Sequence, residues 1–231
     1  MTYQHDAHLA NIVTSYCTCL AGVMPLLFTA LGKRHPARWI FAYFCILLTG
    51  IPTVWLHTVE GNRVASFFDV GSNIFLAWAL LVAVSGDFMR PRARGILLAV
   101  VTVLNGCAWA WLVYEIGAPE KVPLLTFGEF GQFYVGECAL IANCWIVAGV
   151  FFAYRRRITR KALGLLYLVI AMFLIGMFLA TASNSTISFG ILPWHATWHI
   201  VGAFGFIAMW VFNDVRFNEA TRVGAPMPQA Q

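Results

Sequence analysis

Charged residues are scarce in this sequence. Only 11% of its 231 residues are Asp, Glu, Lys or Arg, whereas 60% are hydrophobic and the mean hydropathy is +0.75. A soluble domain of this length carries about a quarter of its residues as charged side chains. The deficit excludes an ordinary soluble fold and favours a protein of the lipid bilayer.

Lysine is rare as well, and the cysteines show no paired spacing. The lysines are Lys33, Lys121 and Lys161, in predicted loops or at a helix edge, so a retinal Schiff base within a helix is excluded. The six cysteines lie within apolar runs, where we expect them to pack as small apolar residues rather than form disulfides. The first eleven residues contain no Lys or Arg, so they lack the basic start of a signal peptide and we expect the first helix to be kept.

Long apolar runs are the dominant pattern. A helix that crosses the bilayer needs about 20 mostly apolar residues, and its backbone polar groups must be satisfied within the helix. Seven runs qualify, and none alternates apolar and polar residues as a membrane β-barrel would: Asn11–Leu31, Arg38–Leu56, Phe67–Ser85, Gly95–Tyr114, Gly131–Tyr154, Ala162–Ala182 and Trp194–Asp214. The sequence predicts an all-α fold, a seven-transmembrane helix bundle in one membrane domain over residues 1–223, followed by a disordered tail over residues 224–231.

Basic residues predict the orientation of the bundle. Thirteen of the 15 Lys and Arg residues fall on one side of it: Lys33, Arg34, Arg38, Arg90, Arg92, Arg94, Arg155, Arg156, Arg157, Arg160, Lys161, Arg216 and Arg222. The other side holds Arg63 and Lys121. Because cytoplasmic loops carry the Lys and Arg excess, we predict an outside amino terminus and a cytoplasmic carboxyl terminus. The basic residues are spread over four segments, which suits anionic lipid and disfavours nucleic acid as a partner.

Five ionisable residues lie within or at the ends of the apolar runs, where such groups are functional candidates. They are His57, Asp69, Glu137, His195 and His199. The orientation was predicted from Lys and Arg alone, yet it brings all of them except Glu137 to the outer ends of helices two, three and seven. For Glu137 two interpretations stay open: pairing with a site group, or a hydrogen bond to a neighbouring helix.

His195 and His199 form the segment H-A-T-W-H, and residues at i and i+4 share one helix face. A catalytic zinc takes three protein ligands and keeps a fourth position open, so His57 is the third candidate ligand for Zn²⁺. The alternative for each histidine is a packed or hydrated polar residue near the membrane interface. His8 is close enough in level to approach the site as an accessory residue, and His35, in a basic loop, is expected to be exposed.

Two further residues are candidates for catalysis. Asp69 could act as a general base, or it could accept a hydrogen bond from a metal-binding histidine and so orient that ring. Thr53 lies one turn before His57 on the same helix face, so its hydroxyl could contact a bound water or a developing oxyanion.

The last-helix segment H195-A-T-W-H-I-V-G-A-F-G205 resembles that of the alkaline ceramidase family, which belongs to the CREST group of seven-helix membrane hydrolases and receptors. The segment T53-V-W-L-H57, with Asp69 twelve residues later, is similar to the family's Ser-x-x-x-His and Asp pattern, and Asn11–Ser15 faintly echoes its first helix. The resemblance implies zinc held by His57, His195 and His199, Asp69 as the base, and hydrolysis of ceramide to a fatty acid and a sphingoid base. Thr53 stands where the family has Ser. The family's acidic calcium-binding stretch before the first helix is missing from this sequence, so the resemblance does not imply calcium binding.

Other functions stay open at this point. A receptor or metal-binding protein of the adiponectin-receptor or hemolysin-III type would keep the zinc without fast turnover. A membrane cytochrome could use His57 and His195 to bind haem, and the same zinc chemistry could cleave a phospholipid ester. The expected partners are the lipid bilayer and a ceramide-like membrane lipid. A bacterial inner membrane, with the site towards the non-cytoplasmic side, and an internal eukaryotic membrane both satisfy the charge rule.

Overall fold

Seven long helices make up most of the structure. The computed structural model describes residues 2–32, 35–59, 61–126, 132–181, 188–189 and 192–222. The helices are α1 (Thr2–Ala30), α2 (Ala37–Thr58), α3 (Arg63–Phe88), α4 (Pro91–Gly117), α5 (Val135–Ala153), α6 (Arg160–Thr181) and α7 (Trp194–Arg222). Each contains a stretch long and apolar enough to cross a membrane, which confirms the predicted all-α bundle. The predicted disordered tail lies outside the described residues.

Helix α5 begins later than predicted. Instead of continuing a helix from position 131, Gln132–Phe133 forms strand β2, which pairs antiparallel with β1 (Leu125–Thr126). The helix starts at a capping box, in which the Glu137 carboxylate accepts a hydrogen bond from the Tyr134 backbone N–H at 2.8 Å. Glu137 therefore lies in the first turn of α5 and not two turns into it. A second hairpin, β3 (Ser188–Phe189) with β4 (Leu192–Pro193), leads into α7.

The order of packing leaves one side of the bundle open. Helices α6, α7, α1, α2 and α3 pack in that order, and α4 and α5 pack on α3 and on each other. Helices α5 and α6 do not pack closely together. By contrast, α1 and α2 approach so closely that a Cβ atom on Gly22 would overlap the backbone of Leu47. All six cysteines are free thiols, as predicted.

A buried charge cluster ties together three helix ends opposite the histidines. The side chain of Asp87, at the end of α3, is fully buried and forms ion pairs with Arg38 of α2 and Arg216 of α7. Its Oδ2 atom also accepts a hydrogen bond from Trp39 Nε1 at 2.8 Å. Arg157, in a 3₁₀ turn after α5, donates to the Phe88 carbonyl at 3.2 Å. The segments that these contacts join are among those predicted to be cytoplasmic from their basic residues. We call the end of the bundle that contains Arg38, Asp87, Arg157 and Arg216 the arginine end.

His35 lies in this end of the bundle and is buried, so the prediction that it is exposed was wrong. Its Nδ1 atom is 2.9 Å from the Tyr43 hydroxyl, and its Nε2 atom is 3.6 Å from a carboxylate oxygen of Asp214. Its ring packs edge-on against Phe217. The partners that retain this histidine come from α2 and α7, so the short basic loop in which it lies does not indicate its burial.

Candidate metal centre

Three histidines converge at the end of the bundle opposite the arginine end. His57 lies in the last turn of α2, and His195 and His199 lie in the first two turns of α7. One ligand nitrogen from each ring lies within 4.8 Å of the other two. The three rings are packed with centroids 4.8 to 5.0 Å apart. The structure thus brings together the three residues predicted as ligands, in a cluster that could hold a metal ion.

The turn between α2 and α3 positions two further polar side chains of the site, those of Thr53 and Asp69. Gly61 has a φ of +72°, a left-handed conformation that glycine adopts without a Cβ penalty. Asn62 then caps α3, its side-chain oxygen accepting hydrogen bonds from the backbone N–H groups of Val64 and Ala65 at 2.9 and 3.1 Å. With the two helices joined by this turn, Asp69 on α3 lies within hydrogen-bond distance of Thr53 on α2.

The pair His57 and His195 has a spacing that suits one small ion. Their Nε2 atoms are 3.1 Å apart. Two nitrogens bound at about 2.0–2.1 Å to one tetrahedral zinc lie roughly 3.3 Å from each other. A haem would need these nitrogens on opposite faces of a porphyrin ring, and three imidazoles that meet at one point leave no place for it. The geometry therefore favours a single ion over a bis-histidine haem.

His199 is oriented by two hydroxyls on α1. Its Nδ1 atom lies 3.1 Å from Thr14 Oγ1 and 3.3 Å from Ser15 Oγ. Each hydroxyl donates its own hydrogen to a backbone carbonyl one turn earlier, at 2.8 Å to Ala10 and 2.7 Å to Asn11. The hydroxyls are therefore left as acceptors for an Nδ1–H group. This selects the tautomer in which Nε2 carries the lone pair that a metal requires.

Asp69 and Thr53 form a second polar pair in the site. Thr53 Oγ1 lies 2.5 Å from Asp69 Oδ1 and 3.0 Å from the Thr49 carbonyl, so the hydroxyl has acceptors on both sides. A hydroxyl has one hydrogen to donate. In this arrangement the Thr53 hydroxyl already donates its hydrogen to one of these two acceptors. The predicted hydrogen bond from Thr53 to an oxyanion would require the hydroxyl to rotate away from them. The roles of both residues stay predictions.

A cavity of about 250 Å³ joins these groups to an apolar interior. Its polar wall includes Thr53, Asp69, His195 and His199. The remaining wall is mostly apolar: Val70, Leu76, Ala77, Leu80, Leu140, Ile141, Phe173, Met177 and Phe206. A second, apolar cavity of about 80 Å³ lies between α5 and α6 and shares Leu80, Phe173 and Met177 with the first. The two cavities adjoin at these residues, and we call the pair the crevice.

The accessory candidates take different positions. Glu137 lines the first cavity, but the hydrogen bond of its carboxylate goes to the start of its own helix, which matches neither of the two interpretations. His8 lies close enough to His57 to interact with it electrostatically, yet it is outside the cluster of three rings.

Thr14 and Ser15 were not predicted to be partners of a ligand. In the sequence, the feature that could have indicated them is two adjacent hydroxyl residues within the apolar run of α1. The structure buries both side chains. Gln132 and Phe133 were not predicted as site residues either; they reach the cavity from β2 because the helix begins after them.

Comparison with known proteins adds no relative. No protein-family model matches the chain, and no curated protein matches it. The likeness to alkaline ceramidases remains a prediction based on the segments of α2 and α7. The case for a metal centre rests on the geometry of the three histidines.

Proposed function

We propose that this multi-pass membrane protein is a zinc-dependent intramembrane hydrolase that cleaves the amide of a ceramide-like lipid. The main support is the position of the histidine cluster. Together with the Thr53–Asp69 pair it borders a mostly apolar cavity, which adjoins a second apolar cavity between α5 and α6. Such a cavity suits a substrate with one polar, reactive group and a long hydrocarbon chain.

A donor set of three imidazoles suits zinc, which supports our choice of this ion. Three neutral imidazoles with no carboxylate in the cluster match a catalytic zinc site, which leaves a fourth position open. Zinc bound there supplies Lewis acidity that lowers the pKa of a water molecule and polarises a carbonyl oxygen. The hydroxyls of Thr14 and Ser15 fix the ring of His199 for this purpose.

The other residues handle the protons of the reaction. As the water oxygen bonds to the amide carbon, Asp69 accepts its proton; when the carbon–nitrogen bond breaks, Asp69 gives that proton to the departing amine. Thr53 holds the carboxylate of Asp69 in place through its hydrogen bond. The products are a fatty acid and a long-chain amine, so atoms and charge balance without a redox partner.

The crevice provides the path for the substrate. Trp145 and Leu174 stand at its rim with 56% and 44% of their surfaces exposed, one on α5 and one on α6. An acyl chain can enter between them from the bilayer while the amide reaches the histidines. We propose a bacterial inner membrane as the location, with the histidines towards its non-cytoplasmic side.

Metal content is the first test. The detergent-purified protein, prepared without chelators, should contain about one zinc per chain, and His199→Ala should lose it. His8→Ala is the matched control and should keep the zinc, since His8 is outside the cluster. Wild-type protein without zinc would overturn the proposal.

Turnover is the second test. The zinc-loaded protein should release fatty acid from a ceramide with a fluorescent acyl chain, and a phospholipid ester of the same acyl chain should be a poorer substrate. Faster cleavage of the ester would replace the amide in the proposal. Zinc without cleavage of either lipid would favour a receptor-like protein over an enzyme.

A further inference from the structure

A run of basic residues joins α5 to α6. Residues 155–161 read R-R-R-I-T-R-K, and the sequence contains no Asp or Glu between Glu137 and Asp214. In the described part of the chain, the arginines that form ion pairs are Arg38 and Arg216, both with Asp87. The five basic residues of the turn form no ion pair there, so their charge is not neutralised by a carboxylate.

The turn itself holds two of the five side chains. Arg155 donates to the Phe152 carbonyl at 2.8 Å, and Arg157 donates to the Phe88 carbonyl at 3.2 Å. The other three are exposed and make no side-chain hydrogen bond to a described residue: Arg156, Arg160 and Lys161. Three positive charges are therefore presented to the surroundings at the arginine end.

The apolar cavity of about 80 Å³ lies next to this turn. Its wall includes Phe151, near the end of α5, and Leu166, in the second turn of α6. Phe151 precedes the first arginine of the turn by four positions and Leu166 follows Arg160 by six, which is roughly 6 to 9 Å at the rise of a helix. The headgroup layer on each side of a bilayer is roughly 5–7 Å thick. Basic side chains in that layer therefore leave the cavity at the level of the acyl chains.

The chemistry of this cavity suits a hydrocarbon chain. None of its described lining residues is charged, and neither the three histidines nor Asp69 is among them, so a metal ion at the histidines does not change its wall. Helices α5 and α6 do not pack closely, which leaves the cavity accessible from the side. Because lipid tails are as apolar as this wall, burial alone does not select one lipid over another. The selection comes from the charge of the turn.

We propose that the turn between α5 and α6, together with the cavity beside it, is a docking site for an anionic phospholipid. Its phosphate pairs with the three exposed basic side chains, and one of its acyl chains lies in the cavity. The turn between α3 and α4 also exposes arginines, Arg90 and Arg92, but neither cavity borders it. That turn attracts anionic lipid without holding a chain.

The docking site does not depend on the proposed function, since binding is measured without turnover. If the protein is also a lipid hydrolase, the substrate enters by the same gap between α5 and α6, and the two lipids exclude each other there.

Native mass spectrometry of the detergent-purified protein measures the apparent Kd of the first bound phospholipid. Phosphatidylglycerol and phosphatidylcholine with identical acyl chains are the probes. A basic residue beside an anionic lipid contributes roughly fivefold to binding, so the wild type should bind phosphatidylglycerol at least about tenfold more tightly than phosphatidylcholine. In Arg156→Gln with Arg160→Gln we expect the Kd for phosphatidylglycerol to rise about 10- to 25-fold and that for phosphatidylcholine to stay within about twofold.

Arg90→Gln with Arg92→Gln is the matched control. It removes the same charge from two exposed positions that border neither cavity, and both Kd values should match the wild type. Equal weakening of phosphatidylglycerol in the two double variants would reduce the effect to general surface charge and overturn the proposal. Wild-type protein that binds both phospholipids alike would overturn it as well.

Ala148→Phe tests the acyl chain. Ala148 lines the cavity from α5, so a phenyl ring there occupies the space of the chain, and we expect the Kd of both phospholipids to rise about tenfold. Ala142→Phe, exposed on the same helix and lining neither cavity, is the control and should bind as the wild type does. Ala148→Leu is the smaller replacement if the phenylalanine variant does not fold. Wild-type binding in a folded position-148 variant would show that no chain occupies the cavity and would overturn the docking site.

Discussion

The Nδ1 atom of His199 lies 3.1 Å from the hydroxyl oxygen of Thr14, although the two residues are 185 positions apart in the chain. The contact joins the first helix to the last at the level of the candidate ligands. The orientation of the candidate ligand His199 therefore depends on α1, a helix that supplies none of the three histidines. Ser15 adds a second oxygen at 3.3 Å from the same nitrogen.

Removal of both hydroxyls should weaken metal binding. In the double variant Thr14→Val with Ser15→Ala we expect zinc affinity to fall about 10- to 100-fold, since partners behind a metal-bound histidine commonly contribute that much. Competition with a zinc chelator measures it. Thr18→Val, one turn further along α1 on the cavity wall, is the control and should bind zinc as the wild type does. Equal affinity in all three proteins would show that the hydroxyls do not orient His199.

Asp69 should be needed for turnover but not for metal binding. Asp69→Asn keeps the shape of the side chain and removes the base, so we expect hydrolysis to fall at least about 100-fold while zinc content stays at the wild-type level. Thr53→Ser, which keeps the hydroxyl that contacts Asp69, should retain most of the activity, whereas Thr53→Val should not. Full activity in Asp69→Asn would remove Asp69 from the mechanism.

The contact between α6 and the cavity wall depends on Gly176. A Cβ atom at this position would overlap the ring of Trp198, which lies between the two histidines of α7 and lines the cavity. Gly176→Ala should therefore destabilise the fold by about 1–3 kcal/mol through overpacking and lower the rate of hydrolysis. Thermal unfolding in detergent measures the first effect.

Gly164→Ala is the control for this variant. Gly164 lies on the same helix with open space around its Cα atom, so the substitution should leave the melting temperature unchanged or raise it through helix propensity. If both glycine variants unfold at the same temperature, the packing of Trp198 on Gly176 does not limit stability.

The arginine end should contribute to stability and not to metal binding. Asp87→Asn removes the buried carboxylate charge that pairs with Arg38 and Arg216, which is expected to destabilise the protein by about 3 kcal/mol or more. A melting curve beside Glu120→Gln, an exposed change of the same kind, tests this. Protein that remains folded should still bind one zinc, because His57 is separated from Arg38 by roughly 28 Å of helix α2. Loss of zinc from folded Asp87→Asn would contradict this separation.

The apolar runs predicted the seven helices because hydrocarbon thickness sets how many apolar residues each must contain. They did not predict where the helices end. Helix α1 begins at Thr2 and α7 continues to Arg222, since a helix persists beyond the apolar run that crosses the membrane. The start of α5 depends on one hydrogen bond between Glu137 and Tyr134, which hydropathy does not register.

The three histidines could be predicted because spacing and loop charge are both properties of the sequence. The i, i+4 pair fixes a shared face of α7, and the orientation of α2 brings His57 to the same level. The contact of Thr14 with His199 could not be predicted in this way, because no local pattern states which face of α1 meets α7. The burial of His35 and of Asp87 has the same origin, since their partners come from distant helices.

Under the proposed function, entry through the crevice between α5 and α6 makes the membrane, and not the aqueous buffer, the phase in which the substrate concentration counts. A molecule that reaches the histidines through that side of the bundle never leaves the membrane, so it searches in two dimensions and its abundance is a mole fraction of the surrounding lipid. Diluting the sample with buffer would then leave the encounter rate unchanged, whereas diluting the substrate with inert lipid would lower it in proportion. The rate would follow the composition of the leaflet in which the protein sits, and the thickness and fluidity of that leaflet would govern it as directly as any side chain in the site.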